Sequence, residues 1–389
     1  MSDNSNAAAP LTGIRVVEFC HVAAGPFCSM LLADMGADII KVESPDGDTL
    51  RQWPPHSEGF SENFASLNRN KRSITLDLKN AEDNAIAVRL IQEADVVIEN
   101  NRPGAMKRLG LGYERFAESS PKLIYCSLSA FGQEGPRSSE GGFDLTVQAM
   151  SGIMSVTGEA GGMPVKCGIP ISDFATGLYG AFAISALMSR VRAGGDGGHI
   201  DVSMLGASLA VGALQTSEFF GSGRDPRALG AAHPRNSPYQ AYTASDGNFV
   251  LAAGNDRLWR SVCEVVGRLD LFEDPKYLTT IDRAANQKEL AEILNREFSL
   301  ETVESILEKL RRAGVPCSSI NTYSQALADP QVAAMGWVKD IELPNGVKTR
   351  TFGSPVRING HMPAIYRRPP ALGEHGANIV ESLLAEAKQ

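Results

Sequence analysis

Apolar and polar positions along the first third of the chain follow a strand-then-helix rhythm. Ile14 to Cys20 is a short apolar run rich in β-branched residues, punctuated by Gly25-Pro26. A helical stretch from Phe27 to Met35 and a second strand-like run at Asp38 to Glu43 follow. The rhythm recurs as a strand at Ser73 to Leu78, a helix over Ala81 to Glu93, a strand at Asp95 to Glu99, a short helix near Ala105 to Leu109 and a strand at Leu123 to Ser129. This order predicts an α/β fold built on a parallel, doubly wound sheet. Two longer helices are predicted at Asp173 to Arg192 and Leu205 to Phe220, with a strand at His199 to Met204 between them.

After Phe220 the pattern changes. Gly221 to Arg235 reads as a linker, and Tyr239 to Gly254 as a hairpin around Asp246-Gly247. Helices at Arg257 to Val266, Asn286 to Glu297 and Leu300 to Ala313 complete a smaller α+β region. Strand-like runs return between Ala333 and Ile358, broken by Asn345-Gly346 and Pro355.

At 389 residues the chain exceeds the size at which one core usually stops growing, so two domains are expected. A net charge of -8, from 37 basic and 45 acidic residues, argues against a nucleic-acid partner. The six cysteines are scattered, without a close pair or a neighbouring histidine cluster, which points to reduced thiols and away from a zinc site. Met1 to Pro10 is polar and alanine-rich with no signal-peptide character, and no apolar run is expected to span a membrane, so the reading is cytoplasmic.

The strongest candidate for chemistry is Asp144, which follows Gly141-Gly142-Phe143 and opens an apolar helical run. Free N–H groups and the positive end of a helix dipole favour an ionised carboxylate there, and the plainer reading is that Asp144 is a helix N-cap. The first β-α-β unit ends in Glu43, where a dinucleotide-binding half places its ribose-binding acid. Its turn, His21-Val22-Ala23-Ala24-Gly25, nevertheless lacks the three glycines of that fingerprint, which makes a nicotinamide dehydrogenase a weak alternative. There is no P-loop and no Gly-x-Ser-x-Gly elbow. Asn70-Lys71-Arg72 reads either as a solvated basic turn or as a phosphate site. Asn100 follows the fourth strand, at the edge where open α/β sheets bind ligands, and Arg108 lies eight residues further on.

Taken in order, His21 to Pro26, Gly36 to Glu43, Asn70 to Ser73, Glu99-Asn100 with Pro103-Gly104, Gly142-Phe143-Asp144, Ile171-Ser172-Asp173 and Gly198 to Ser203 resemble the class III CoA-transferases, the CaiB/BaiF family. The resemblance covers nearly the whole chain. It implies a Rossmann-like large domain formed by residues 1–220 and 326–389, with a small α+β domain at 221–325, and an interlocked homodimer. It also implies that coenzyme A and acyl-CoA bind as substrates, with no permanently bound cofactor and no metal. Asp144 matches the nucleophile, Val22 and Ala24 match main-chain CoA contacts, Lys71 and Arg72 a nucleotide-phosphate region, and Asn100 and Arg108 further CoA positions. Ser44 departs from the formyl-CoA transferase pattern, which has an arginine beside the adenine.

The implied reaction moves CoA from an acyl-CoA, with succinyl-CoA favoured, to a short dicarboxylate through an aspartyl-CoA thioester. Backbone N–H groups near Gly141 and Gly142 are expected to stabilise the oxyanions, and Leu229 to Asn236 to cover the site. Arg51, Arg69, Arg224 and Arg235 are candidates for a distal carboxylate. The alternative on this fold is an α-methylacyl-CoA racemase, whose motif has a histidine where Phe143 stands and so carries a proton acceptor that phenylalanine lacks.

Overall fold

A computed structural model describes residues 9–386. The segment 1–8, most of the N-terminal stretch read above as lacking a targeting signal, lies outside the described residues. The chain divides into two compact units, one of Met1–Met154, Lys166–Arg224 and Gln331–Gln389, the other of Ser155–Val165 and Asp225–Pro330. The stretch 155–165, placed in the first domain by the sequence reading, belongs to the second unit.

The first unit is organised by six parallel strands: β1 (Arg15–Phe19), β2 (Asp38–Glu43), β3 (Lys71–Thr75), β4 (Val96–Glu99), β5 (Ile124–Ser129) and β6 (Gly198–Ser203). Their order across the sheet is β3-β2-β1-β4-β5-β6. The order reverses between β1 and β4, and such a switch point leaves a crevice at the carboxyl ends of the strands. Because strand side chains alternate, Val17, Phe19, Ile40 and Val42 enter one core with helix α2 (Ala81–Gln92). Val16, Cys20 and Ile39 enter the opposite core, beneath α1 (Ala24–Asp34) and α4 (Ile171–Arg192).

Helix α4 is the one helix among the described residues long and apolar enough to cross a membrane, which corrects the expectation that no run reaches that length. Ala175, Ala181, Ile184 and Met188 on it are buried in the unit. Its glycines allow close contact with α1: a Cβ at Gly177 would lie 2.7 Å from Ala24 O, and one at Gly180 3.1 Å from Cys28 Sγ. The single helix expected over Leu205 to Phe220 is two, α5 (Met204–Val211) and α6 (Ala213–Ser222), parted at Gly212.

The second unit holds a three-stranded antiparallel sheet, β7 (Tyr239–Thr243), β8 (Asn248–Ala252) and β9 (Cys317–Ser319), in the order β9-β8-β7. Trp259, Leu290, Leu294, Phe298 and Leu310 from its helices close one core over that sheet. In the first unit a late hairpin pairs Val338–Glu342 with Lys348–Phe352, and the helix Gly376–Glu386, which the sequence reading did not find, packs Ile379 and Leu383 against the core of α2.

Beneath α1 the sheet buries charge. Glu18, Lys41, Lys71 and Asp48 have side chains with no exposed surface. Lys41 Nζ bonds Glu18 at 3.1 Å, Asp48 at 3.0 Å and Cys20 O at 2.8 Å. Lys71 Nζ bonds Glu18 at 3.1 Å, Pro26 O at 3.0 Å and Asn68 Oδ1 at 3.0 Å, and Ser29 donates to Glu18 as well. Burial works against every charge here. The two ammonium groups nevertheless hold the Glu18 carboxyl below its usual range, Glu18 and Asp48 hold Lys41 above the usual lysine range, and burial brings Lys71 down to about 8.

Removing one member leaves the others uncompensated. Glu18→Gln is therefore expected to cost about 3–5 kcal/mol in urea unfolding; a loss below about 1 kcal/mol, the scale of a surface pair, would show that the network does not hold the fold.

Candidate active site

The carboxyl-end crevice is lined by Phe19, His21, Val42, Ser44, Leu76 and Met106, with Lys79 and Asn101 at its polar side. The turn above it is unusual. Val22 has a φ of 63°, a conformation that a β-branched side chain rarely adopts. It is held there by Asp48, whose Oδ1 accepts from Val22 N at 3.1 Å and Leu50 N at 2.9 Å. Asn100 grips the same turn from β4, accepting from His21 N at 2.9 Å and donating to His21 O at 2.8 Å. Gly25 has a packing reason: a Cβ there would lie 2.4 Å from Cys20 Sγ.

The expected CoA contacts are distributed unevenly around this crevice. Ala24 is buried at the first position of α1, beside the Val22 turn. Asn100 sits at the switch point, but its amide is occupied by the His21 backbone. Arg108 is exposed at the end of a one-turn helix (Ala105–Arg108) and has no side-chain partner among the described residues. Lys71 and Arg72 do not fit the phosphate reading. They lie at the amino end of β3, with Lys71 buried in the ion network and Arg72 paired with Asp38. Glu43 cannot serve a ribose, because Arg51 binds it at 2.8 and 2.7 Å and Ser73 Oγ at 2.6 Å. That engagement also removes Arg51 from the candidates for a distal carboxylate, as the pair with Asp34 at 3.0 and 2.6 Å removes Arg69. Arg224 is exposed; Arg235 and the 229–236 stretch belong to the second unit, where Gly230 N donates to Gly158 O at 2.8 Å.

Asp144 opens the short helix α3 (Asp144–Met150), whose N-cap is Phe143. Its carboxylate does not cap its own helix. Helix α4 begins after Pro170, which has no side-chain acceptor, and Asp144 Oδ1 supplies one from outside by accepting from Ser172 N at 2.9 Å. Asp144 Oδ2 accepts from Gln148 Nε2 at 2.7 Å. Both oxygens are therefore engaged.

The next residue of α4 is Asp173, part of a sequence motif to which the sequence reading assigned no role. Its carboxylate makes no hydrogen bond among the described residues. Burial, with the Asp144 charge added, pushes it up to about 7. A carboxylate in the first turn of a long apolar helix is the sequence signal that marks it. Two acidic groups held together in this way form a candidate reaction centre. Gly142 is required by packing, since a Cβ would lie 2.7 Å from that of Ala130, and Gly141 lies under the Arg102 guanidinium. Phe143, in the racemase histidine position, is 79% exposed.

Known proteins resemble this chain over nearly its whole length. The family model described as CoA-transferase family III matches residues 11–376. A curated succinate–glutarate CoA-transferase of Agrobacterium fabrum is 41% identical, over 98% of this chain and 98% of that protein. A solved CaiB/BaiF family protein of Brucella suis is 40% identical with a TM-score of 0.84, covering 96% of this chain and 99% of its own. An aspartate-to-alanine mutant of a Mycobacterium tuberculosis protein is 29% identical with a TM-score of 0.85, covering 95% and 98%.

The Asp173 carboxyl carries a stability signature. Between pH 3.8 and about 7 the folded chain keeps a proton on Asp173 that the unfolded chain has lost, so stability falls as pH rises through that interval and levels off above it. Asp173→Asn is expected to raise the melting temperature at pH 8 and to change it little near pH 4; a lower melting temperature at pH 8 would contradict this.

Proposed function

This chain belongs to CoA-transferase family III, and from that premise we propose that it moves CoA from succinyl-CoA to glutarate or a dicarboxylate of similar length through a covalent aspartyl thioester. The observation that carries the mechanism is the Asp144–Asp173 pair. The nucleophile expected at Asp144 is reassigned to Asp173, because both Asp144 oxygens already accept hydrogen bonds and those of Asp173 accept none among the described residues. The Mycobacterium tuberculosis relative, prepared with an aspartate replaced by alanine, is in keeping with an aspartate of consequence on this fold.

Asp173, ionised above about pH 7, attacks the succinyl thioester carbonyl and expels CoA thiolate, leaving a mixed anhydride. The thiolate attacks the aspartyl carbonyl, which gives aspartyl-CoA and frees succinate. A glutarate carboxylate then repeats the sequence in reverse and regenerates Asp173. The acyl activation is conserved throughout, so no ATP is consumed. Backbone N–H groups at Gly141 and Gly142, which make no hydrogen bond among the described residues, suit the developing oxyanions.

The adenosine end of CoA is assigned to the crevice between Phe19, Leu76 and Met106, with Lys79 toward its phosphates and the exposed Arg108, two residues beyond Met106, as a second cation for them. Val22 and Ala24 border it through the strained turn. The homodimer implied by resemblance suits the apolar surface of the first unit, where Phe143, Phe182 and Phe220 are 79%, 71% and 82% exposed. A cytoplasmic location suits its free thiols.

Steady-state rates with succinyl-CoA and glutarate are expected to be ping-pong. Asp173→Asn should lower transfer by about 10³-fold or more, the scale seen when a covalent nucleophile is removed, with Asp144→Asn retaining measurable turnover. The opposite ranking returns the nucleophile to Asp144.

A further inference from the structure

Gln148 is wholly buried on α3, and both ends of its amide are used. Its Nε2 donates to Asp144 Oδ2 at 2.7 Å, and its Oε1 accepts from Cys167 N at 2.8 Å. The second bond determines the first. A backbone N–H can only donate, so the amide must turn its oxygen toward Cys167 and its NH₂ toward Asp144. Ser172 N also donates to Asp144, so both groups hydrogen-bonded to its carboxylate among the described residues are donors and Asp144 takes the acceptor's part toward them.

We propose that Gln148, oriented by the Cys167 N–H, is a positioning residue that keeps Asp144 an acceptor of hydrogen bonds and so leaves protonation within the carboxylate pair to Asp173. The proposal rests on the reading of Asp173 as nucleophile. It ties the protonation of that nucleophile to one amide and to the 166–168 segment that orients it. Other groups around the pair are consistent with it. Ser208 on α5 bonds Ser172 Oγ at 2.8 Å and carries no charge, and the Lys166 ammonium is engaged with Cys167 O at 3.2 Å. A side chain at position 148 that cannot donate removes the preference, and Asp144 then competes for the proton.

The test is the pH dependence of single-turnover aspartyl-CoA formation from succinyl-CoA, read by mass spectrometry on the Asp173 peptide, in the parent, Gln148→Met and Gln148→Glu. In Gln148→Met the acid limb is expected to move down by about one pH unit, the shift given by a tenfold redistribution of the proton. Protonated Gln148→Glu still offers one donor and one acceptor, so its limb is expected at or above the parent's. A Gln148→Met limb that coincides with the parent's, with adduct still on the Asp173 peptide, overturns the positioning role and leaves the nucleophile standing. Absence of adduct on that peptide in the parent overturns both. If Gln148→Met does not fold, a Gln148→Glu limb below the parent's overturns the proposal by itself.

Discussion

Four buried charges beneath α1 determine how the rest of the first unit is arranged. Glu18, Lys41, Lys71 and Asp48 lie where water cannot screen them, so each must be satisfied by geometry alone. The network joins β1, β2, β3, the start of α1 and the Asp48 loop through Cys20 O, Pro26 O and the Val22 N–H. One consequence is the left-handed Val22, which a glycine-rich phosphate loop would have adopted without help. The β1–α1 turn of this chain is built by ion pairing instead. It keeps the crevice of a doubly wound sheet while dispensing with the dinucleotide fingerprint.

The reaction centre is constructed in a similar way, by supplying from elsewhere what the local sequence lacks. Pro170 cannot cap α4, and Asp144 does so across space. Burial disfavours the ionised form of Asp173, the neighbouring Asp144 charge adds to this, and the Asp173 oxygens have no hydrogen-bond partner among the described residues. A carboxylate disfavoured as an anion at rest is suited to attack a thioester, because forming the acyl bond removes its charge.

The strand-helix rhythm made the parallel sheet legible from sequence, since strands buried on both faces read as continuous β-branched runs such as Ile14 to Cys20. Family resemblance then supplied the chemistry. Lys71 was not legible: a basic turn and a buried ammonium look alike until the partners, 53 residues away at Glu18, are seen. The same holds for Arg51 and Arg69, whose carboxylates are Glu43 and Asp34. Asp144 and Asp173 both stood in recognised motifs, but only the three-dimensional hydrogen bonding separates an engaged carboxylate from a free one. The helix at Gly376–Glu386 follows a long irregular stretch and gives little periodic signal before its burial against α2 is known.

Which carboxylate is converted to the CoA thioester is read directly by peptide mapping after incubation with succinyl-CoA, quenched with and without hydroxylamine. A CoA-sized, hydroxylamine-sensitive adduct on the peptide containing Asp173 is the predicted result. The same adduct on the peptide containing Asp144, or a substrate α-carbon that exchanges deuterium with no adduct on either, would contradict it.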